Sequence, residues 1–206
     1  LVEAGSLLAI VTGSARSLLA AERVALNLLG QLSGVATATR ELVDQIAGTS
    51  ASLVDTRKTV PGLRALQKAA VQAGGGQNHR MGLYDAVLIK DNHIAVAGSA
   101  EAAVKQARDA VGLGASIEVE VESTEQLEAA IAAGADIVML DNMSVNEMRE
   151  AVLITDGRCR TEASGGITIA TIREVAKTGV DMISVGWLTH SAPALDVALD
   201  LEYLEG

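Results

Sequence analysis

The sequence predicts an α/β fold in which parallel strands alternate with helices, and three observations point there. Six short apolar runs, at 52–58, 86–93, 117–122, 137–142, 161–166 and 183–186, each end in a polar residue or glycine. Stretches with helical spacing lie between them. The apolar content, 49% of 206 residues, is branched aliphatic, with no Phe and one Trp. Such a composition suits strands buried on both faces. Chemistry gathered at strand C-termini is how an α/β barrel presents a site, so an enzyme is the first expectation. Six strands fall one or two short of closing a (β/α)₈ barrel, and an open doubly wound sheet is the rival. No GxGxxG follows the first strand, which argues against dinucleotide binding.

The elements follow in order. Residues 7–11 read as a short strand that is the tail of a preceding domain. Residues 17–47 carry Leu, Ile and Val three and four apart and predict a long helix, broken or bent at Ser33 and Gly34. Pro61 suits the first turn of a helix running to about Ala73, which Gly74, Gly75 and Gly76 end. Further helices are expected at 99–111, 124–133, 144–155 and 168–178, with Ser99, Ser123, Ser144 and Thr168 as N-caps. Gly134-Ala135-Asp136 and Gly179-Val180-Asp181 close two helices and lead into strands. Pro193 is expected to start a last helix carrying Leu195, Val197, Leu199 and Leu204.

Charge narrows the partners. A formal net charge of −10 disfavours nucleic acid and anionic membranes, and no run is long enough to cross a bilayer. Scarce aromatic residues argue against base stacking. One cysteine, Cys159, excludes an intrachain disulfide and fits a reduced, cytoplasmic setting. The chain opens Leu1-Val2-Glu3 with neither initiator Met nor signal peptide, as a piece lacking its own N-terminus would.

Cations cluster nonetheless. Arg57, Lys58, His79, Arg80 and Lys90 fall close together, several at strand ends. A local positive pocket in an acidic protein fits a small anion, with arginine forks for carboxylates and lysine for phosphate. Two adjacent cations, Arg57 and Lys58, reach one side only if the strand has already ended. His93 reads as a histidine capping the next loop. Glu120 and Asp141 end neighbouring strands and can hold Mg²⁺ through water or offset a developing positive charge. Glu118 and Glu122 share the face of Glu120 by alternation. Ser164-Gly165-Gly166 and Val185-Gly186 follow the last two strands and offer backbone N–H groups to phosphate.

At these residues the sequence resembles the quinolinate phosphoribosyltransferases, also called nicotinate-nucleotide pyrophosphorylases (carboxylating). The segments carrying the resemblance lie at 22–27, 32–37, 55–64, 74–80, 88–93, 162–166 and 188–191. It implies an incomplete TIM-like barrel with a truncated N-terminal open α/β sandwich. Residues 1–48 are then a remnant of that sandwich with connecting helices, 49–190 the barrel and 191–206 a C-terminal helix. The implied reaction transfers phosphoribosyl from phosphoribosyl pyrophosphate to quinolinate, with Mg²⁺, releasing pyrophosphate and CO₂. By resemblance Arg57, His79, Arg80 and Lys90 line the quinolinate pocket, with Thr56 and Lys58 at its mouth. Glu120 and Asp141 are the acidic pair near ribose and metal. Ser164, Gly165, Gly166, Val185, Gly186 and Trp187 form the phosphate turns. Arg23 is implied to cross from a partner subunit in a homodimer or an assembly of dimers. Lys58, Lys90, Glu120 and Asp141 are the implied catalytic set. Trp187 stands where the family often has a small residue; it either narrows the phosphate turn or packs against the last helix. A paralogue with another acceptor and an inactive interaction subunit are the alternatives.

Overall fold

Strands form where apolar or alternating residues run between glycine, serine and aspartate punctuation, and helices where apolar residues recur three and four apart. The computed structural model describes residues 2–202, leaving aside the Leu113 side chain. In chain order the elements are α1 (Ala15–Gln45), β1 (Ser52–Val54), α2 (Arg64–Ala73), β2 (Val87–Ile89), α3 (Asp91–Ala97), α4 (Ala100–Val111), β3 (Ile117–Val121), α5 (Thr124–Ala132), β4 (Ile137–Asp141), α6 (Val145–Thr155), β5 (Arg160–Ser164), α7 (Ile172–Ala176) and β6 (Met182–Ser184). All six expected strands are present and pair in parallel, in the order β1-β6-β5-β4-β3-β2. β1 and β2 do not pair with each other. Beside β1 the seam is taken by Gln77, whose N–H donates to the Leu53 carbonyl at 2.8 Å and whose carbonyl accepts from Asp55 at 3.1 Å.

Alternation splits the sheet into two chemically different faces. Ile117, Val119, Val121, Val138, Leu140, Ala163 and Ile183 share one face, and all belong to the main apolar core with helical residues such as Leu127, Met148 and Ile172. Their neighbours in sequence face the barrel interior, where Glu120 pairs in register with Met139, and Met139 with Glu162. The core therefore lies between sheet and helices, and the interior carries the polar groups.

The Gly-Ala-Asp and Gly-Val-Asp turns do one job twice. Gly134 and Gly179 adopt φ of +89° and +94°, a region open to glycine. The aspartate that follows turns its carboxylate onto the next strand's neighbour. Asp136 Oδ2 accepts the Ile117 N–H at 2.7 Å, and Asp181 Oδ2 accepts the Thr161 N–H at 2.7 Å. Ser99, Ser123 and Ser144 cap α4, α5 and α6 as expected.

Five expectations need correction. Residues 7–11 form no strand, and no described residue pairs with them. α1 runs unbroken through Ser33 and Gly34, because Gly34 serves packing rather than bending: a Cβ there would sit 1.9 Å from the Pro193 carbonyl oxygen. Thr168 is not an N-cap, since its own N–H donates to Thr171 Oγ1 at 3.0 Å and α7 starts only at Ile172. The helix near Pro61 begins later, at Arg64. Residues 192–202 form no helix; they lie across α1, where Leu195 donates its N–H to the Gly30 carbonyl at 2.9 Å. Leu204 lies outside the described residues. No described helix is long and apolar enough to cross a membrane.

Candidate active site

β1 ends at Val54, so Thr56, Arg57 and Lys58 are free of strand alternation. Thr56 and Lys58 turn toward the neighbouring end of β6. A Cβ on Gly186 would lie 3.0 Å from Lys58 Cδ and 3.4 Å from Thr56 Oγ1, so glycine makes room for both. Arg57 lies near Arg80. Burial, and after it the Arg57 charge, lowers the Arg80 guanidinium from its ordinary value. Both arginines carry a buried Nε without a hydrogen-bond partner among the described residues. Among the described residues the Arg80 side chain donates to the Ala86 carbonyl alone, at 3.4 Å. Two under-satisfied guanidinium groups close enough to repel each other are poorly placed unless an anion joins them.

His79 is held from behind by groups that sequence reasoning missed. Asp55 and Lys68 form a fully buried ion pair. Asp55 also accepts the His79 N–H at 2.8 Å, and Lys68 donates to the His79 carbonyl at 3.0 Å. With its amide nitrogen turned to Asp55, Asn78 adds a bond of 2.7 Å. Burial raises the Asp55 carboxyl, and the Lys68 hydrogen bond opposes it. No sequence signal separates Lys68 from a solvated lysine on an amphipathic helix.

The His79 ring points into the barrel. Its Nε2 lies 3.0 Å from Glu118 and 3.2 Å from Glu162, both buried carboxylates. Burial lowers the proton affinity of the ring, but the hydrogen bonds to Glu118 and then Glu162 outweigh it and push His79 up to about 10. Burial also raises Glu118. His79 and Glu118 therefore influence each other's titration. A cavity of about 290 Å³ extends from His79 and Arg80 toward Ile137 and Arg160, the first residues of β4 and β5.

On the other side of the mouth Lys90 forms an ion pair with Glu120. His93 caps α3, accepting the Lys90 N–H on Nδ1 at 2.9 Å, as the sequence led us to expect. Asp141 is half-buried and accepts from the Asn142 side chain at 2.8 Å. It stands in register with Ser164. Glu120 and Asp141 are hard oxygen donors on the same interior face, the kind of pair that holds Mg²⁺ through water and phosphate. Gly165 and Gly166 both have positive φ, +100° and +59°. Among the described residues neither donates its N–H to a protein acceptor.

Three expected site residues stand apart. Val185 is buried in the apolar core and its N–H donates to the Val54 carbonyl at 3.1 Å, so it has none left for phosphate. Trp187 donates Nε1–H to the Ile167 carbonyl at 3.0 Å, tying down the turn after Gly166 rather than packing on a last helix. Arg23 is exposed on α1, where its guanidinium lies 3.6 Å from Glu22.

Residues 35–200 match the family model for the quinolinate phosphoribosyl transferase C-terminal domain. A probable nicotinate-nucleotide pyrophosphorylase (carboxylating) of Bacillus subtilis is 51% identical over 96% of this chain and 68% of its own. The Mycobacterium leprae nicotinate-nucleotide pyrophosphorylase (carboxylating) is 48% identical over 97% and 71%. The crystal structure of NadC from Streptococcus pyogenes superposes with a TM-score of 0.89 at 48% identity, covering 94% of this chain and 68% of that one.

Proposed function

The chain belongs to the quinolinate phosphoribosyl transferase family, and from that premise we propose that it transfers phosphoribosyl from phosphoribosyl pyrophosphate to quinolinate with decarboxylation. The products are nicotinate mononucleotide, pyrophosphate and CO₂. The paired Arg57 and Arg80 guanidinium groups, each with an unpartnered buried Nε, carry the reading. Quinolinate bears two carboxylates beside its ring nitrogen, and two planar forks bind and orient such a diacid. Orientation brings the ring nitrogen toward the anomeric carbon of the ribose.

Lys58 and Lys90 supply positive charge where pyrophosphate departs, and Glu120 and Asp141 offset the charge that develops on the ribose. Ser164, Gly165 and Gly166, with Gly186, receive the 5′-phosphate. Glu120 and Asp141 would hold Mg²⁺ through water, and the ion would neutralise the leaving pyrophosphate. Loss of the carboxylate next to the new pyridinium nitrogen needs no nucleophilic side chain. Arg23, on the exposed half of α1, acts across a dimer interface, and the enzyme works in the cytoplasm.

The test is a quinolinate titration and turnover assay on the full-length protein, following CO₂ and nicotinate mononucleotide. Arg80→Ala is expected to abolish diacid binding. Turnover of nicotinate with indifference to quinolinate would overturn the assignment.

A further inference from the structure

A single 3₁₀ turn, Gly186–Thr189, follows β6, and three of its four residues reach back to segments at the barrel mouth. The Trp187 indole donates Nε1–H to the Ile167 carbonyl at 3.0 Å, directly after Ser164-Gly165-Gly166. The Thr189 hydroxyl, fully buried, lies 2.9 Å from the Lys58 carbonyl and 3.2 Å from the Gly186 carbonyl. A hydroxyl has one proton to give, and the Lys58 carbonyl is the nearer acceptor. Gly186 lies against the Lys58 and Thr56 side chains. Leu188, the fourth residue, is buried in the apolar core and anchors the turn on the sheet.

The glycine turn after β5 needs such support. Gly165 and Gly166 both have positive φ, and neither spends its N–H on a protein acceptor among the described residues. Glycine is the most freely moving residue, so a turn that offers two N–H groups in fixed directions gains from a tie at each end. Asn142 supplies one tie: its N–H donates to the Ser164 carbonyl at 3.0 Å, and its side chain fills the space that a Cβ on Gly165 would need. The Trp187 indole supplies the other.

We propose that Trp187 and Thr189 are positioning residues for the sugar-phosphate donor: through one short turn they set the spacing between the phosphate turn at 164–166 and Lys58. The proposal rests on the phosphoribosyltransferase reading for the identity of the donor. Neither side chain needs to touch it. The indole holds the turn that receives the 5′-phosphate, and the hydroxyl holds the main chain that carries Lys58 to the pyrophosphate. A ribose separates these two anionic ends, so both contacts form together only when their supports stand at the right distance. The Trp187 ring also packs against the core. Packing alone predicts lost stability with an unchanged KM for the donor.

The experiment is steady-state kinetics with tryptophan fluorescence on the full-length protein. Trp187→Phe keeps a ring and removes the N–H, and Thr189→Val keeps the shape and removes the hydroxyl. Each is expected to raise KM for phosphoribosyl pyrophosphate about three- to tenfold, as one lost hydrogen bond would, and to move KM for quinolinate by less than about twofold. Thr189→Ser should restore the wild-type value. Trp187 is the one tryptophan of these 206 residues. Its emission, identified as the part lost in Trp187→Phe, is expected to shift on titration with phosphoribosyl pyrophosphate and to stay unchanged with quinolinate. An unchanged donor KM in both variants overturns the proposal, as do equal rises in both KM values and an emission indifferent to the donor. Where one variant does not fold, the other and the wild-type emission decide. A wild type that turns over both substrates while the variants keep its donor KM refutes the brace and spares the assignment. A wild type whose emission follows the donor, but which ignores quinolinate, refutes the acceptor and spares the brace.

Discussion

The Pro193 carbonyl oxygen lies 1.9 Å from the point that a Cβ on Gly34 would occupy, so the last described segment rests directly on the backbone of α1. Gly30, one turn earlier, plays the same part for Leu195, whose carbonyl oxygen would be 2.7 Å from a Cβ there. Gly34→Ala is therefore expected to lift this segment off the helix, at about 1–3 kcal/mol of strain. Hydrogen exchange at the Leu195 amide, which donates to the Gly30 carbonyl, is the direct measure. Unchanged protection in the variant would refute the packing role.

Lys68→Met leaves Asp55 buried without its counter-ion. The expected loss is about 3–5 kcal/mol, the range for breaking one side of a buried pair. Denaturant unfolding of the single variant and of Lys68→Met with Asp55→Asn checks it. The double variant is expected to recover part of the loss, because it removes the stranded charge.

Arg80→Lys keeps the charge but loses the fork. A lysine cannot make two parallel bonds to a carboxylate, and charged hydrogen bonds contribute about 1.5–3 kcal/mol each. Affinity for quinolinate, read by calorimetry, is expected to fall by roughly ten- to a hundredfold, with phosphoribosyl pyrophosphate binding little affected. Equal affinity for the diacid would remove Arg80 from the pocket.

Stability is expected to decline as pH rises. The His79 value is raised from 6.5 to about 10, and Asp55 and Glu118 are also raised, so the folded state holds protons that the unfolded chain releases. The His79 contribution is complete below 6.5 and disappears as pH climbs through about 10. Each such proton tilts stability by about 1.4 kcal/mol per pH unit in that window. Thermal melts from pH 6 to 10 should show the midpoint falling; a flat or rising midpoint contradicts it.

The strands and three serine caps were legible in the sequence because their signals are local. Alternation in 117–121 put Glu118 and Glu120 on one face. It gave no sign that Glu118 would join His79 and Glu162 while Glu120 went to Lys90, since that depends on which strands become neighbours. Residues 193–199 failed for the converse reason. Proline followed by spaced leucines reads as a helix, but the decisive partners are two glycines more than 150 positions earlier in the chain. Val185 was misassigned because a residue beside a glycine turn looks available until its amide is found in the sheet.

The missing strand between β1 and β2 has a consequence for recognition. In a regular strand, successive side chains point to opposite sides, so a histidine and an arginine next to each other could not both serve one cleft. The irregular stretch that plugs the gap is exempt from that rule. His79 and Arg80 both turn inward from adjacent positions, and a fully closed barrel would have had to give one of them up to the helical layer outside.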